Sequence, residues 1–350
     1  MLLKIKDIVI DVGRFVMAEI NVRLTQIDGK LPNLALMKLS HYHKSLGHNV
    51  HFFKRLHKDL FEPNYDYVYG SSIFKFSEKA QTTFKTQFPN ALIAGTGTNN
   101  NITVEDIIQE KDYEYYDYDI YPEFNNSIGF SQRGCRLKCK FCVVPNKEGK
   151  NYSLHSINEI WRKNNNKNII LLDNDFFGQQ NWETTSKEII DGKFKVNFNQ
   201  GINVRLINEN ACNYLQDMKY YDVKFENKRL YTAWDNLKDE KIVFKGLKLL
   251  ENANIPMNHI MVYMLIGFDK NETWERILYR FEKLVDKGVM PYPMVYDQSN
   301  KQLKKFQRWV VRRYYQFVKW EDYKDETIEQ KASQRGSLQD NDNATLGFYY

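Results

Sequence analysis

Over the first hundred residues, short apolar runs alternate with amphipathic ones. "EINVRLTQID" has the length and β-branched content of a strand, and "LPNLALMKLSHYHKSLG" predicts a helix that opens after Pro32 and closes at Gly47. "HNVHFFK", "DYVYGSSIF" and "ALIAGTG" predict further strands. Strand–helix–strand alternation of this kind predicts a small open parallel sheet over residues 1–104. From Ser127 the alternation becomes regular. Strands are expected at "SIGFSQ", "NIILLDND", "KVNFNQGINV", "RLYTAWD", "HIMVYMLIGF" and "PYPMVYD". The helices "SINEIWRKN", "NWETTSKEIIDG", "NENACNYLQDM", "DEKIVFKGLKLLENA" and "TWERILYRFEKLVDKG" fall between them. Six strands with helical crossovers predict parallel pairing and right-handed connections. Six units do not complete an eight-stranded barrel, so the expectation for 127–300 is an open partial (β/α)6 barrel, with functional loops at the C-terminal strand ends.

Three segments break the alternation. Residues 105–126 are acidic, Tyr-rich and weakly periodic, and predict a linker or a strap between domains. Residues 301–320, within a basic C-terminal extension spanning 301–330, space Leu303, Phe306, Val310, Tyr314 and Phe317 on one face of a helix. Residues 331–350 are polar and predict a disordered tail. Met17 precedes the first strand and is a candidate start.

Composition narrows the class. The chain has 350 residues, of which 42% are hydrophobic, and a mean hydropathy of −0.61. That allows a sizeable core, and with no long apolar run it argues against a membrane span. The first sixteen residues lack the uninterrupted apolar stretch of a secretory signal. Four cysteines are too few for a disulfide framework in a chain this long, and a reducing, cytoplasmic setting is expected. The net charge of +6 is unevenly spread: Lys301–Trp320 holds seven Lys/Arg and no acid, whereas Glu105–Glu123 holds eight acids and one Lys. Trp309, Tyr314 and Tyr315 interleave with the basic run. It reads first as the solvated face of an amphipathic helix, and second as a phosphate contact for a nucleic acid or nucleotide.

The candidate chemistry lies in "QRGCRLKCKFC", residues 132–142, which holds Cys135, Cys139 and Cys142. Structural zinc takes four protein ligands. His155 is a candidate fourth, and Cys212 sits on a later helix, where a core position is expected. An iron–sulfur cubane held by three thiolates leaves one iron open for a small chelating molecule.

With its aromatic residue, "GCRLKCKFC" resembles the Cys-x3-Cys-x-aromatic-Cys loop of the radical S-adenosylmethionine (radical SAM) superfamily. The surrounding "SIGFSQRGCRLKCKFCVVPNKEG" is similar to a subgroup with a cobalamin-domain-like N-terminal sheet. The resemblance covers roughly residues 17–300. It implies an α/β fold: a partial (β/α)6, TIM-like radical SAM barrel preceded by a small Rossmann-like parallel sheet. It implies that Cys135, Cys139 and Cys142 ligate a [4Fe-4S] cluster and that S-adenosylmethionine chelates the fourth iron, with Phe141 against the adenine. A flavodoxin- or ferredoxin-type donor would supply the electron, and the activity would be hydrogen abstraction from an unidentified substrate.

Residue by residue, the resemblance assigns Asp173, Asn174 and Asp175 to the methionyl amino group, although the family's Gly-Gly-Glu-like segment is absent. Helix capping is an equal reading of these acids. Asn199, Gln200 and Arg205 follow on strand three, with Arg205 facing the methionyl carboxylate or forming a structural ion pair. Asp235 is assigned to a ribose hydroxyl or to a helix cap. Ile266 and Gly267 are assigned to the strand behind the adenine, or to ordinary core. In the segment matching the cobalamin loop, "DGKLPN", Asp28 is kept but Lys30 stands where the ligating His would be and Asn33 where the Gly would be. Histidine-ligated cobalamin is therefore not expected. Two alternatives remain: a cobalamin-dependent radical SAM methyltransferase, and a non-catalytic nucleic-acid-binding protein with a structural zinc. Substrate contacts are expected from the N-terminal sheet, the 145–153 loop and the C-terminal helix.

Overall fold

Patterned apolar segments do become strands and helices in a computed structural model, which describes residues 19–324 apart from Asp112 and Asn164. Met17, residues 325–330 of the C-terminal extension and the 331–350 tail lie outside the described residues. The chain divides between Pro122 and Glu123.

The first unit holds β1 (Asn21–Gln26), α1 (Leu34–Ser45), β2 (Asn49–Phe53), β3 (Tyr67–Ser71), α2 (Glu78–Gln87), β4 (Leu92–Ala94) and α3 (Val104–Ile108). The four strands form a parallel sheet in the order β2-β1-β3-β4. Alternation along β1 sends Val22 and Leu24 to the α1 side, with Leu36 and Leu39. Helix α1 starts at Asn33, whose side chain accepts from the Leu36 N–H. It stops at Gly47, whose φ of +78° suits the left-handed residue that ends a helix.

No helix joins β2 to β3. Instead Arg23, fully buried on the opposite face of β1, pairs with Glu62 and donates to the Arg55 carbonyl at 3.0 Å. Its guanidinium lies 4.2 Å from the Phe53 ring and 4.4 Å from that of Phe88. This clamp fastens the 54–66 loop.

The 105–126 stretch, expected as a linker or a strap between domains, is part of this unit up to Pro122. Lys38 on α1 pairs with Glu105 (3.0 Å) and Glu114 (2.6 Å), and Asp117 accepts from Ser40 (2.5 Å) and pairs with Lys44. The Tyr121 hydroxyl donates to Gln26. Of the acids in this stretch, Glu105, Glu114 and Asp117 are partners for the basic side of α1.

The second unit holds β5 (Ser127–Gly129), β6 (Gln132–Arg133), α4 (Val144–Lys147), β7 (Tyr152–Ser153), α5 (Ile157–Ile160), β8 (Asn168–Leu171), α6 (Trp182–Asp191), β9 (Lys195–Phe198), α7 (Glu209–Asp217) and β10 (Lys219–Tyr220). It continues with β11 (Leu230–Ala233), α8 (Glu240–Asn252), β12 (Ile260–Ile266), α9 (Trp274–Asp286), β13 (Met290–Val295) and α10 (Lys301–Val311). All six expected strands are present, and every main-sheet pairing is parallel. They are divided between two ladders, β10-β9-β8-β5 and β11-β12-β13. The unexpected short β10 pairs with the start of β9 and separates the ladders there. Past β9, the Ile202 N–H donates to the Tyr231 carbonyl at 2.7 Å and brings the chain back against β11.

One face of these strands packs under α6 to α10: Ile169, Leu171, Val196, Phe198, Val262 and Met264 meet Ile189, Leu215, Leu247, Phe281 and Phe306 in one core. Two expected helices are cut short. Helix α5 is one turn, because Trp161 takes an extended conformation, stands edge-on to Phe194 and donates its indole N–H to the Asn166 carbonyl. The basic helix expected over 301–320 ends at Val311, because Arg313 is left-handed with φ +54°. Phe317 consequently leaves the apolar face and is 73% exposed, while Trp309 is buried in its place. Among the described residues no helix is long and apolar enough to cross a membrane.

Candidate functional site

The cysteine loop leaves the sheet at the C-terminal end of β5 and returns through the antiparallel pair β6–β7. Gly134 makes the turn possible: its φ is +80°, and a Cβ there would collide with the Lys150 carbonyl. Glu148 fixes both arms. Its carboxylate accepts from Arg133 (2.7 Å), from the Gly134 N–H (2.9 Å) and from Asn174 Nδ2 (3.0 Å). The loop's next contact is with the end of β8, where Arg136 binds the buried Asp175 carboxylate through Nε and Nη2.

Inside these supports, Cys135, Cys139 and Cys142 line one cavity of about 140 Å³ with Phe141, Asn174, Gln200, Arg205 and Asp235. Leu137, Val144, Gly201, Ile202, Asn203, Thr232, Ala233 and Tyr263 complete the wall. The three thiols are free. Burial pushes the Cys135 thiol up to about 11 and the Cys142 thiol upward. The Leu137 N–H points at the Cys135 sulfur (3.4 Å). Arg205 Nη2 donates to the Cys139 sulfur (3.8 Å), while its Nη1 pairs with Asp239 (3.1 Å). Burial opposes the Arg205 charge, but Cys139, Asp235 and Asp239 together hold it above its ordinary value.

Asp235 accepts from the Leu265 N–H at 3.1 Å. Burial raises its carboxyl to about 6 against the opposing pull of that N–H, Arg205 and Arg280. Phe141 stands edge-on to Phe268 with ring centroids 5.5 Å apart.

The remaining expected site residues lie elsewhere. Asp173 is buried beneath the loop, where it accepts from the Ser131 N–H (2.8 Å), the Ser131 hydroxyl and the Gln132 N–H (3.2 Å). Burial raises it to about 7, despite those donors. Asp175 is taken by Arg136. These two acids therefore support the loop and do not line the cavity; of the capping reading, Asp175 does stand at the N-cap of the single 3-10 turn Phe176–Gly178, though its side chain makes no capping bond there. Asn199 is buried beside Gln200, with its carbonyl oxygen unpartnered. Ile266 is core, and Gly267, with φ +81°, turns the chain out of β12 next to Leu303. His155 does not line the cavity, and Cys212 is buried in the helix-covered core.

Sequence reasoning missed Glu148, Arg136 and Tyr263. Tyr263 carried a usable signal, as the one tyrosine in the otherwise apolar "IMVYMLI". In the first unit the Asp28 carboxylate accepts from Ser72 Oγ (2.7 Å), the Ile73 N–H (2.7 Å) and the Phe74 N–H (3.2 Å), tying the loop after β1 to the one after β3.

The donor chemistry fits an iron–sulfur cubane. Among the described residues no three His, Cys, Asp or Glu side chains converge on a point as a single ion requires. A cubane instead takes one thiolate at each of three corners, so its ligands stand apart around a shared space. Three free thiols line one cavity here, which is the number and kind of donor such a cluster takes.

No family model matches the chain, and no curated protein matches it. Among solved structures, a double mutant of spore photoproduct lyase with bound AdoMet and dinucleoside spore photoproduct aligns over 86% of this chain and 85% of that one. The identity is 9% and the TM-score 0.33, a level at which the reading rests on the site itself.

Proposed function

We propose that the chain is a radical SAM enzyme. The observation that carries this reading is the gathering of Cys135, Cys139, Cys142, Phe141, Arg205 and Asp235 around one cavity at the C-terminal ends of parallel strands. Cys135, Cys139 and Cys142 would hold a [4Fe-4S] cluster. When bound, the cluster supplies one electron, passed on from a flavodoxin- or ferredoxin-type donor, to cleave S-adenosylmethionine to methionine and a 5′-deoxyadenosyl radical that takes hydrogen from substrate.

The protein's own residues prepare that event. Arg205 places a fixed positive charge beside Cys139, which suits a carboxylate on the same side. Asp235 and Gln200 offer acceptors for hydroxyl and ammonium donors. Phe141 and Tyr263 give the cavity apolar walls that exclude water from a reactive species. The two clamps at Glu148 and Asp175 hold the loop so that three sulfurs face one space.

The test is anaerobic. The full chain is reconstituted with iron and sulfide and reduced, and 5′-deoxyadenosine is sought after addition of S-adenosylmethionine. Near four irons per chain with 5′-deoxyadenosine formed supports the reading; a loaded cluster that never cleaves the cosubstrate, or one tightly held zinc in place of iron, defeats it. Changing any one of the three cysteines to Ala should abolish cleavage.

A further inference from the structure

Behind the cavity wall lies a buried charge. Arg280, on α9, is fully buried, on a helix that otherwise turns Ile277, Phe281 and Leu284 into the core. Its Nη1 donates to the Trp234 carbonyl (2.7 Å) and its Nη2 to the Leu265 carbonyl (2.9 Å), and Nη2 also pairs with Glu272. Helix packing alone gives no reason for an ion here, because a buried ion pair commonly stabilises a fold no better than apolar side chains of similar volume.

Each of its three acceptors leads to the cavity. Trp234 immediately precedes Asp235. Leu265 gives its N–H to the Asp235 carboxylate (3.1 Å) and its carbonyl to Arg280, so one residue joins the two. Glu272 accepts from the Gly267 N–H and so closes the turn after β12, the turn that carries Phe268 against Phe141. The β11–β12 ladder reaches only Ala233 and Tyr263, and Asp235 lies two residues past it. Beyond that point the strands are joined by the Trp234 N–H to the Tyr263 carbonyl (2.8 Å), by the Asp235–Leu265 bond and by Arg280. Two cations act on Asp235, with different duties. Arg205 is in the cavity wall and is divided between Cys139 and Asp239. Arg280 does not line the cavity, yet its charge, like that of Arg205, opposes the rise that burial gives the Asp235 carboxyl.

We propose that Arg280 is a positioning residue for the cosubstrate: carried by α9, it fixes the two strand ends that present Asp235 to the cavity, and so keeps an acceptor for a hydroxyl group in place there. A guanidinium suits this task, because its planar fork can hold two carbonyls at a fixed separation while a lysine ammonium acts as a single point. The proposal rests on the radical SAM reading for the identity of the ligand. The hold on Asp235 rests on the hydrogen bonds alone.

The test measures S-adenosylmethionine affinity at equilibrium on the full chain carrying its reconstituted, unreduced cluster, so that no turnover is needed. Arg280→Met is made together with Glu272→Gln, which removes both buried charges and leaves an amide to accept from Gly267. Affinity should fall about tenfold while iron content stays that of the wild type. In an Asp235→Asn background the same pair of changes should cost less than about threefold, because the group that Arg280 positions is already altered. A merely structural arginine would cost the same in both backgrounds. Arg280→Lys keeps the charge but cannot span both carbonyls, so it should give the same pattern with a smaller loss, and it carries the comparison if the neutral pair does not melt cooperatively. A further readout needs no cluster: the Leu265 amide should exchange with solvent deuterium faster in these variants than in the wild type. Unchanged affinity, an equal loss in both backgrounds, or unchanged Leu265 exchange overturns the proposal and leaves the enzyme reading standing. A wild-type chain that loads its cluster and binds no S-adenosylmethionine defeats that reading, and this proposal with it.

Discussion

Arg136 and Asp175 meet through two side-chain bonds, Nε to Oδ2 at 2.7 Å and Nη2 to Oδ1 at 3.0 Å, and a third from the Arg136 backbone N–H at 3.3 Å, and the carboxylate end is fully buried. Arg136 follows the first cysteine directly, so this pair sets where the loop lies against the end of β8. Removing the guanidinium strands a buried carboxylate, which costs roughly 3 kcal/mol or more. Arg136→Gln should lower the melting temperature and reduce iron retained after reconstitution. Lysine should restore little, because it cannot make the two-point contact. Unchanged iron content in both variants would mean that the pair does not position the loop.

Gly134→Ala should be as damaging for a different reason. The new Cβ meets the Lys150 carbonyl in a left-handed backbone, and both faults fall inside the β6–β7 closure. The expected outcome is a loss of roughly 2 kcal/mol, with iron binding lost first. Chemical denaturation with parallel iron analysis measures the two effects.

Asp235→Asn tests the cosubstrate site with little risk to the fold. The amide oxygen can still accept from the Leu265 N–H, so stability should change little. The negative charge is lost from the cavity wall. On the proposed function, KM for S-adenosylmethionine should rise about tenfold while iron content stays the same. An unchanged KM would remove Asp235 from the site.

The first unit should show a pH dependence of its own. Burial first, and then the His48 charge, lower His43 from 6.5 to about 4. Its ring nitrogens lie 2.9 Å from His48 Nδ1 and 3.3 Å from the Tyr69 hydroxyl. Between pH 6.5 and 4 the unfolded chain holds more protons on this histidine than the folded one does. Stability from this group is therefore complete above pH 6.5 and falls as the pH drops toward 4, by about 3 kcal/mol in all. His43→Gln should flatten that part of the stability profile relative to the wild type, as read from urea midpoints across the range. Parallel profiles would assign the slope to other groups.

The strands and most helices could be read from the sequence because each follows from local pattern: a β-branched run in "NVRLTQ", a helix start after Pro32, a stop at Gly47. What escaped that reading depends on partners far along the chain. Glu105, Glu114 and Asp117 show no role in the local pattern until α1 presents Lys38 and Lys44 to them. The two-residue β10 has too little pattern to be seen, and Arg313 carries no sequence mark of a left-handed turn. At the site, the motif located the three cysteines and Phe141 on one loop. It could not say that Asp173 and Asp175 turn toward the loop's own Ser131 and Arg136, because which side of a strand end faces a cavity is set by tertiary packing.

The hairpin that closes the cysteine loop has a consequence for how metal would arrive. With β6 and β7 paired and Glu148 holding Arg133, Gly134 and Asn174, the two arms of the loop are fastened by contacts that use none of the three sulfurs. An incoming iron then meets three sulfurs at a high effective concentration, as one chelating ligand. If the hairpin opens, the same sulfurs become three separate donors on a floppy chain, and the grip on a half-built cluster is lost in a single step.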